Sequence, residues 1–290
     1  MEQFHLTSNA TGKAFKCNFG KFTDLVEFAA YADHDSGHFK YDDLKFKGET
    51  VKQARANCAG GSTAHAARSD ALIAAMESDL DFSSQKQATV MAVAGGCPNV
   101  PALLAGQPLS MYRRQRIQTA TAPITVVVDL TVSAGVNVET IDRRGAATLA
   151  LVRNLASKRA VNLWVMAACK CDYDDSKAGG FMVRLDTSPM DLARLAWVMQ
   201  SAGFFRYYGF AAISLQGLQR KSTSEGGLQW LGPLDDHAKR LADYAAQMIG
   251  TDSRILQIAG LYSDKSEQPF RSDANAVDWI KAQLATVQDD

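Results

Sequence analysis

Three oxygen-bearing side chains follow one short apolar run near the middle of the chain. The run at 124–128 reads Ile-Thr-Val-Val-Val, and Asp129, Thr131 and Ser133 come directly after it. A carboxylate and two hydroxyls on one loop are hard oxygen donors, which Mg²⁺ prefers, with water completing its octahedral shell. Alternatively, Asp129 caps the turn, and Thr131 and Ser133 are ordinary loop residues. Spacing alone leaves both interpretations open.

These side chains need rigid elements to position them. The β-branched run predicts a strand buried on both faces of a parallel sheet, and residues 140–158 carry the apolar spacing of a helix. Ser188, before Pro189, marks a further helix start. We predict strands at 162–168, 181–185, 210–215 and 254–259, and helices at 188–203, 234–249 and 273–287. The alternation predicts an α/β fold with a mostly parallel central sheet, in which ligands bind at the carboxyl ends of the strands.

The order of these elements, with a D-x-T-x-S motif after the first strand, resembles that of von Willebrand factor A domains over about residues 121–290. The resemblance implies a three-layer, Rossmann-like α/β domain. It also implies a divalent cation, Mg²⁺, held by the D-x-S-x-S motif and a later Thr. Here Asp129, Thr131 and Ser133 match the motif, with Thr in place of its first Ser.

The later Thr of that family corresponds to Thr187, which comes before a predicted helix and has Asp186 beside it. One position departs from the family. After the predicted strand 210–215 the chain has Gln216-Gly217, where the family usually has Asp-Gly. Since Gln is a neutral ligand, the resemblance implies a degenerate site, with Asp186 able to supply the missing charge.

A second resemblance covers residues 90–160 well and the whole chain loosely. The segments 99–108 (NVPALLAGQP) and 128–136 (VDLTVSAGV), the second followed by Arg-Gly-Ala-Ala at 144–147, are similar to an uncharacterised family of bacteriophage proteins. This resemblance implies a virus-encoded protein that acts in the host cytoplasm or the virion.

Residues 1–120 carry no recognisable catalytic motif. A helix is predicted at 62–78, and the apolar run 89–94 predicts a strand that ends at Gly95-Gly96. We therefore expect residues 1–120 to form an α+β extension packed on the α/β domain of residues 121–290.

The charge balance restricts the partners. The chain has 31 basic and 31 acidic residues, so a strong non-specific nucleic-acid binder is disfavoured. Arg113, Arg114 and Arg116 beside Tyr112 could contact a phosphate, but a solvated linker is the simpler interpretation. The apolar runs are far shorter than a membrane span, and the five irregularly spaced cysteines indicate reduced thiols. We expect a cytoplasmic protein that does not bind membranes.

Two other clusters have alternative interpretations. Arg143 and Arg144 lie near the predicted start of a helix, where the helix dipole favours acids, so they either face a partner or pair with acids nearby. The aromatic run at 204–210 is interpreted as core and edge packing, with a partner-binding patch as the alternative.

The sequence favours a non-enzymatic protein-binding or assembly module. An acidic side chain from a partner protein would complete the coordination of the cation at the degenerate site. A homo-oligomer fits the same interpretation. The first alternative is a structural or virion-associated protein with a vestigial site. A Mg²⁺-dependent hydrolase of phosphate esters has the least support, because no nucleophile elbow, phosphate-binding loop or general base stands out.

Overall fold

A computed structural model describes most of the chain. The described residues are 1–9, 14–33, 49–78, 87–116, 122–133, 135–171, 174–216, 231, 234–250 and 254–288. The sequence of residues 33–50, which includes His34 and His38, predicts a loop or an irregular hairpin, and residues 34–48 lie outside the described ranges.

The described strands are β1 (Glu2–Ser8), β2 (Phe15–Phe22), β3 (Gln87–Ala92), β4 (Cys97–Pro98), β5 (Met111–Arg116), β6 (Ile124–Asp129), β7 (Val161–Cys171), β8 (Asp174–Leu185) and β9 (Ile255–Ile258). The described α-helices are α1 (Leu25–Asp33), α2 (Val51–Gly60), α3 (Thr63–Ser78), α4 (Val100–Leu104), α5 (Val138–Ala156), α6 (Leu192–Gln200), α7 (Phe210–Leu215), α8 (Leu234–Ile249), α9 (Asp264–Glu267) and α10 (Asp273–Gln288). A π-helix covers Phe204–Gly209, and a 3₁₀-helix covers Gln268–Phe270.

Six strands form a mixed, mostly parallel sheet in the order β1-β2-β8-β7-β6-β9. β6 runs parallel to both β7 and β9, whereas β7 and β8 form an antiparallel pair. β2 joins β8 in parallel, and β1 completes the edge. The first two strands of the chain therefore belong to the same sheet as the strands after residue 121.

Helices cover both faces of this sheet. Val126 and Val128 of β6 pack in one apolar cluster with α5, α6 and α10, while Val127 packs in a second cluster with α8. Burial of alternate side chains on opposite faces explains why Val126, Val127 and Val128 are all apolar. The expected mixed α/β architecture is confirmed.

The segment predicted as a strand at 210–215 is helical, so that prediction was wrong. The π-helix at Phe204–Gly209 continues into α7, and most of their side chains are buried. An apolar run that is buried on several sides has no distinguishing periodicity, which is why the sequence did not separate strand from helix. Phe204 and Tyr208 contact Trp197, so core packing of the aromatic run is confirmed.

The bounds of the other observed elements lie closer to the predicted ones. The strands predicted at 162–168 and 181–185 are confirmed and form an antiparallel hairpin, although β7 and β8 are longer than expected. α6 begins at Leu192 instead of 188, because the Asp191 side chain accepts a hydrogen bond from the Arg194 backbone N–H at 3.1 Å and caps the helix there. None of the helices in the described ranges is both long enough and apolar enough to cross a membrane.

Candidate functional site

Asp129 ends β6 and is 1% exposed. Its Oδ1 accepts hydrogen bonds from the Thr131 backbone N–H, at 2.9 Å, and from the Thr131 hydroxyl. Its Oδ2 accepts one from the Gly260 N–H at 3.2 Å. A Cβ at Gly260 would lie 2.7 Å from this Oδ2, so the close approach requires glycine. The carboxylate therefore joins the ends of two neighbouring parallel strands, β6 and β9.

His237 of α8 covers the same carboxylate. Its Nε2 lies 3.8 Å from Asp129 Oδ2, and its Nδ1 accepts a hydrogen bond from the Leu231 backbone N–H at 3.2 Å. The neutral imidazole therefore carries its proton on Nε2, towards Asp129. Burial lowers the pKa of His237 below its ordinary value, while Asp129 opposes this shift. The imidazole is fully buried, so it acts as a wall of the Asp129 site.

Arg144 lies beneath the carboxyl edge of the sheet and is 1% exposed. Its Nη1 donates to the backbone carbonyl of Asp129 at 2.8 Å and to that of Ala259 at 3.5 Å. Within the described part of the chain, its Nε has no hydrogen-bond partner. Burial lowers the pKa of Arg144 to about 10, with Asp129 and Tyr262 opposing the shift. The guanidinium is therefore a buried cation at neutral pH.

A pocket of about 230 Å³ opens beside Arg144 at this edge. Two arginines and two serines interrupt its mainly apolar wall, which consists of Leu130, Val132, Ser133, Val136, Val138, Ile141, Arg144, Val198, Met199, Ser201, Ala202, Phe205 and Arg206. Burial lowers the pKa of Arg206, the second arginine. Ser201 is already engaged, because its hydroxyl donates to Glu49 Oε1 at 2.5 Å. The pocket thus combines positive charge with an apolar lining.

Thr187 and Asp186 lie at the opposite edge of the sheet. β8 runs antiparallel to β7, and the Thr187 hydroxyl donates to the carbonyl of Val161, the first residue of β7, at 2.9 Å. Asp129 pairs with Met166, five residues further along β7. At about 3.3 Å per residue, roughly 16 Å separates the two positions. The predicted cluster of five ligands is therefore not formed, because the hairpin reverses the strand that leads to Thr187.

Gln216 also lies away from Asp129. Its Nε2 donates to the Tyr31 hydroxyl at 3.0 Å, and its backbone carbonyl accepts from the Asn18 side-chain amide at 3.2 Å. On the side of β6 away from β7, the neighbouring strand at the carboxyl edge is β9, and it is followed by Ala259 and Gly260. Neither residue has a side-chain oxygen.

The residues at the carboxyl edge do not fit a Mg²⁺ site in this arrangement. Both oxygens of Asp129 already accept hydrogen bonds from the protein, and a buried cation, Arg144, lies against its backbone. Among the described residues, no group of three or more His, Cys, Asp or Glu is placed to hold a metal ion. Mg²⁺ binding stays a prediction, and the geometry offers it no complete ligand set.

Sequence reasoning found Asp129, Thr131 and Ser133 but missed the role of Arg144. A signal was present, because two adjacent arginines near the start of a helix oppose its dipole. The structure separates them. Arg143 pairs with Asp273, with 2.6 Å between Nε and Oδ1, while Arg144 turns inwards. His237 had no comparable signal, since α8 is far from β6 in the sequence.

A family model described as a domain of unknown function, DUF7192, matches residues 9–226. The match covers well over half of the chain, and it extends across residue 120 to include β2, β6 and α7. No curated protein and no solved structure matches the chain.

Proposed function

We propose that this chain, which belongs to the DUF7192 family, is a non-enzymatic protein-binding module that captures an acidic side chain of a partner protein without a metal ion. The observation that supports this most strongly is the Arg144 guanidinium, which lines the carboxyl-edge pocket with an Nε lacking any acceptor among the described residues. A buried donor without a partner costs about 1–3 kcal/mol. A bound carboxylate would remove that cost.

The electrostatics of the pocket favour an anion. Arg144 and Arg206 both line it, and an arginine fork matches the geometry of a carboxylate. Val138, the first residue of α5, and Val136 just before the helix both line the pocket, so the N-terminal end of the helix dipole adds positive potential there. The proposal keeps the partner carboxylate that the sequence predicts, but an arginine guanidinium binds it in place of a metal cation.

The size of the pocket limits the ligand. Sites for drug-sized molecules usually enclose about 300–1,000 Å³, and this pocket has about 230 Å³. A Glu or Asp side chain fits this space, with its methylene groups against Leu130, Ile141 and Phe205. The apolar contacts would favour a carboxylate on a short aliphatic stem over an inorganic anion.

The same geometry favours binding over hydrolysis. A hydrolase at this edge would need Asp129 or His237 as a base, but the Asp129 carboxylate accepts protein hydrogen bonds at both oxygens and the imidazole is fully buried. Neither group is among the residues that line the pocket, whereas Arg144 is. The alternative of a structural or virion-associated protein with a vestigial site predicts that the pocket binds nothing.

We also propose that residues 121–290 follow a von Willebrand A-like plan. The order of β6, the D-x-T-x-S loop, α5, β7 and the antiparallel β8 supports it. Residues 204–215 are helical where a strand was expected at 210–215, so the chain departs from the von Willebrand A-like plan there.

Thermal unfolding with N-acetylglutamate in EDTA tests the binding proposal. Binding to the native state at about ten times Kd should stabilise it by roughly 1.4 kcal/mol, while N-acetylglutamine, which lacks the charge, should have little effect. Arg206→Gln should remove the stabilisation by N-acetylglutamate. Arg184→Gln, at an exposed position on β8, is the matched control and should retain it. Equal stabilisation by both compounds, or no stabilisation of the wild type, would contradict the proposal.

A further inference from the structure

One wall of the carboxyl-edge pocket is formed where α6 gives way to the π-helix. Residues 201–203 connect these two helices, and the wall consists of Ser201, Ala202, Phe205 and Arg206. Burial alone lowers the pKa of Arg206, and among the described residues its guanidinium has no hydrogen-bond or ion-pair partner. The position of Arg206 therefore depends on the backbone that carries it.

Glu49 binds this wall although it does not line the pocket. It directly precedes α2 and is 9% exposed. Its Oε1 accepts hydrogen bonds from Trp197 Nε1 at 2.9 Å and from the Ser201 hydroxyl at 2.5 Å. Its Oε2 accepts one from Asn57 Nδ2 at 2.8 Å. Neutral donors from α2, from α6 and from the connection at 201–203 thus hold a buried carboxylate in place.

The Ser201 hydroxyl links Glu49 to the start of the π-helix. It donates to Glu49, and its oxygen accepts hydrogen bonds from the backbone N–H groups of Gly203, at 3.0 Å, and Phe204, at 3.3 Å. Since a hydroxyl has one proton, donation to Glu49 leaves its lone pairs for these two N–H groups. Glu49 therefore orients the Ser201 side chain and, through it, the first turn of the π-helix.

Gly203 brings the backbone into direct contact with the same carboxylate. A Cβ at this position would lie 2.2 Å from Glu49 Oε1 and 2.6 Å from Glu49 Cγ. Glycine suits such a close approach, because the hydrogen bonds to Glu49 hold its side chain in place. A displacement of the carboxylate would therefore reach residues 201–203 without an intervening side chain.

We infer that Glu49 is a positioning residue of the carboxyl-edge pocket, which acts through Ser201 to hold Arg206 towards the bound carboxylate. The inference rests on the proposed function. It gives residues 1–120 a part in binding, since the described residues that line the pocket all lie between 130 and 206. A purely structural Glu49 would contribute to the stability of the fold but leave the affinity of the folded protein unchanged.

Isothermal titration calorimetry of the full chain with N-acetylglutamate in EDTA tests this role. Glu49→Gln removes the charge, and Glu49→Asp draws the carboxylate back by one methylene group. Each should weaken binding about tenfold, because each disrupts a hydrogen bond to a charged group. Circular dichroism verifies that each variant is folded.

Thr50→Ala is the matched control in the neighbouring position. The Thr50 side chain caps α2 by accepting a hydrogen bond from the Gln53 N–H at 3.1 Å, and it makes no contact with the pocket wall among the hydrogen bonds of the described residues. Loss of the cap should lower the stability of the protein and leave its affinity for N-acetylglutamate unchanged.

A double-mutant cycle tests the path through Ser201. Ser201→Ala should weaken binding, and Glu49→Gln in the same chain should weaken it little further, because both substitutions disrupt the same hydrogen bond. Unchanged affinity in Ser201→Ala, or losses that multiply in the double variant, would overturn the path.

The wild type separates the two claims. If it binds N-acetylglutamate and a folded Glu49 variant binds equally well, the positioning role is overturned and the proposed function stands. If the wild type does not bind, both are overturned.

Discussion

At the scale of single residues, Asp129 lies at the end of a buried strand, as the sequence indicated, and its contacts decide between the two roles that the sequence left open. An acid directly after a buried strand could have been either a metal ligand or a turn cap. The structure gives it the second role, with Thr131 and Gly260 as hydrogen-bond donors. The sequence could not decide this, because Gly260 is 131 residues away and the sheet alone brings it near.

Replacement of Asp129 by Ala should therefore destabilise the fold whether or not a divalent cation is present. The N–H groups of Thr131 and Gly260 would lose their acceptor in a buried position, and each hydrogen bond to a charged group contributes roughly 1.5–3 kcal/mol. Asp186→Ala, at the exposed opposite edge, should change stability by less than about 0.5 kcal/mol.

Urea unfolding of both variants with Mg²⁺ and with EDTA measures these effects. Stabilisation of the wild type by Mg²⁺ that disappears in Asp129→Ala would instead support the cation site expected from the sequence. Equal behaviour in Mg²⁺ and EDTA is the result that the geometry predicts.

At the scale of elements, segments with a characteristic periodicity were predictable, and an apolar run that is buried on several sides was not. The β-branched run correctly predicted β6, and the amphipathic spacing correctly predicted α5, because each pattern is characteristic of its element. The segment 204–215 is apolar on several sides, and the packing of Phe204 against Phe28 and Trp197 decides its conformation. Thr187 was expected at the wrong edge of the sheet. The direction in which β8 runs through the sheet decides which edge Thr187 reaches.

The crossing of α5 and α6 depends on Gly145. A Cβ there would lie 2.4 Å from Gln200 Cγ and 3.1 Å from the Met199 carbonyl oxygen. Gln200 is buried, and its Nε2 donates to the Ser69 hydroxyl at 2.6 Å, so its side chain cannot easily move. Gly145→Ala should destabilise the protein by about 1–3 kcal/mol, because overpacking outweighs the gain of about 1 kcal/mol in helix propensity.

Gly60→Ala is the matched control for Gly145→Ala. Gly60 also lies in a helix, α2, but an added Cβ would meet nothing within 4 Å. Thermal unfolding should show Gly60→Ala to be neutral or slightly stabilising. If Gly145→Ala were as stable as Gly60→Ala, α5 and α6 would adjust to the added Cβ without loss of stability, and the prediction would be contradicted.

At the scale of the whole molecule, the six-stranded sheet crosses the division expected at residue 120. β2 pairs with β8, and Phe19 of β2 packs in the same apolar cluster as Met182 and Tyr244. The sequence indicated a core beginning near residue 121 because the regular alternation starts there. It did not indicate that the first two strands complete that core, since their pairing partner lies over 150 residues away.

A fragment of residues 121–290 should therefore not fold cooperatively. It would expose the edge of β8 that β2 covers. It would also expose Phe181, whose ring contacts Phe28 of α1 at a centroid distance of 4.8 Å. Calorimetry of the fragment beside the full chain measures this. A sharp unfolding transition of the fragment would show that residues 121–290 are an independent domain.

The central claim, that Arg144 binds a carboxylate directly, is tested most directly by nuclear magnetic resonance. In a ¹H–¹⁵N spectrum recorded in EDTA, the Nε–H signal of Arg144, assigned by its loss in Arg144→Lys, should shift as N-acetylglutamate is added. The signal should remain in place with N-acetylglutamine. An unchanged Arg144 signal at saturating N-acetylglutamate, or a shift that requires Mg²⁺, would contradict the claim.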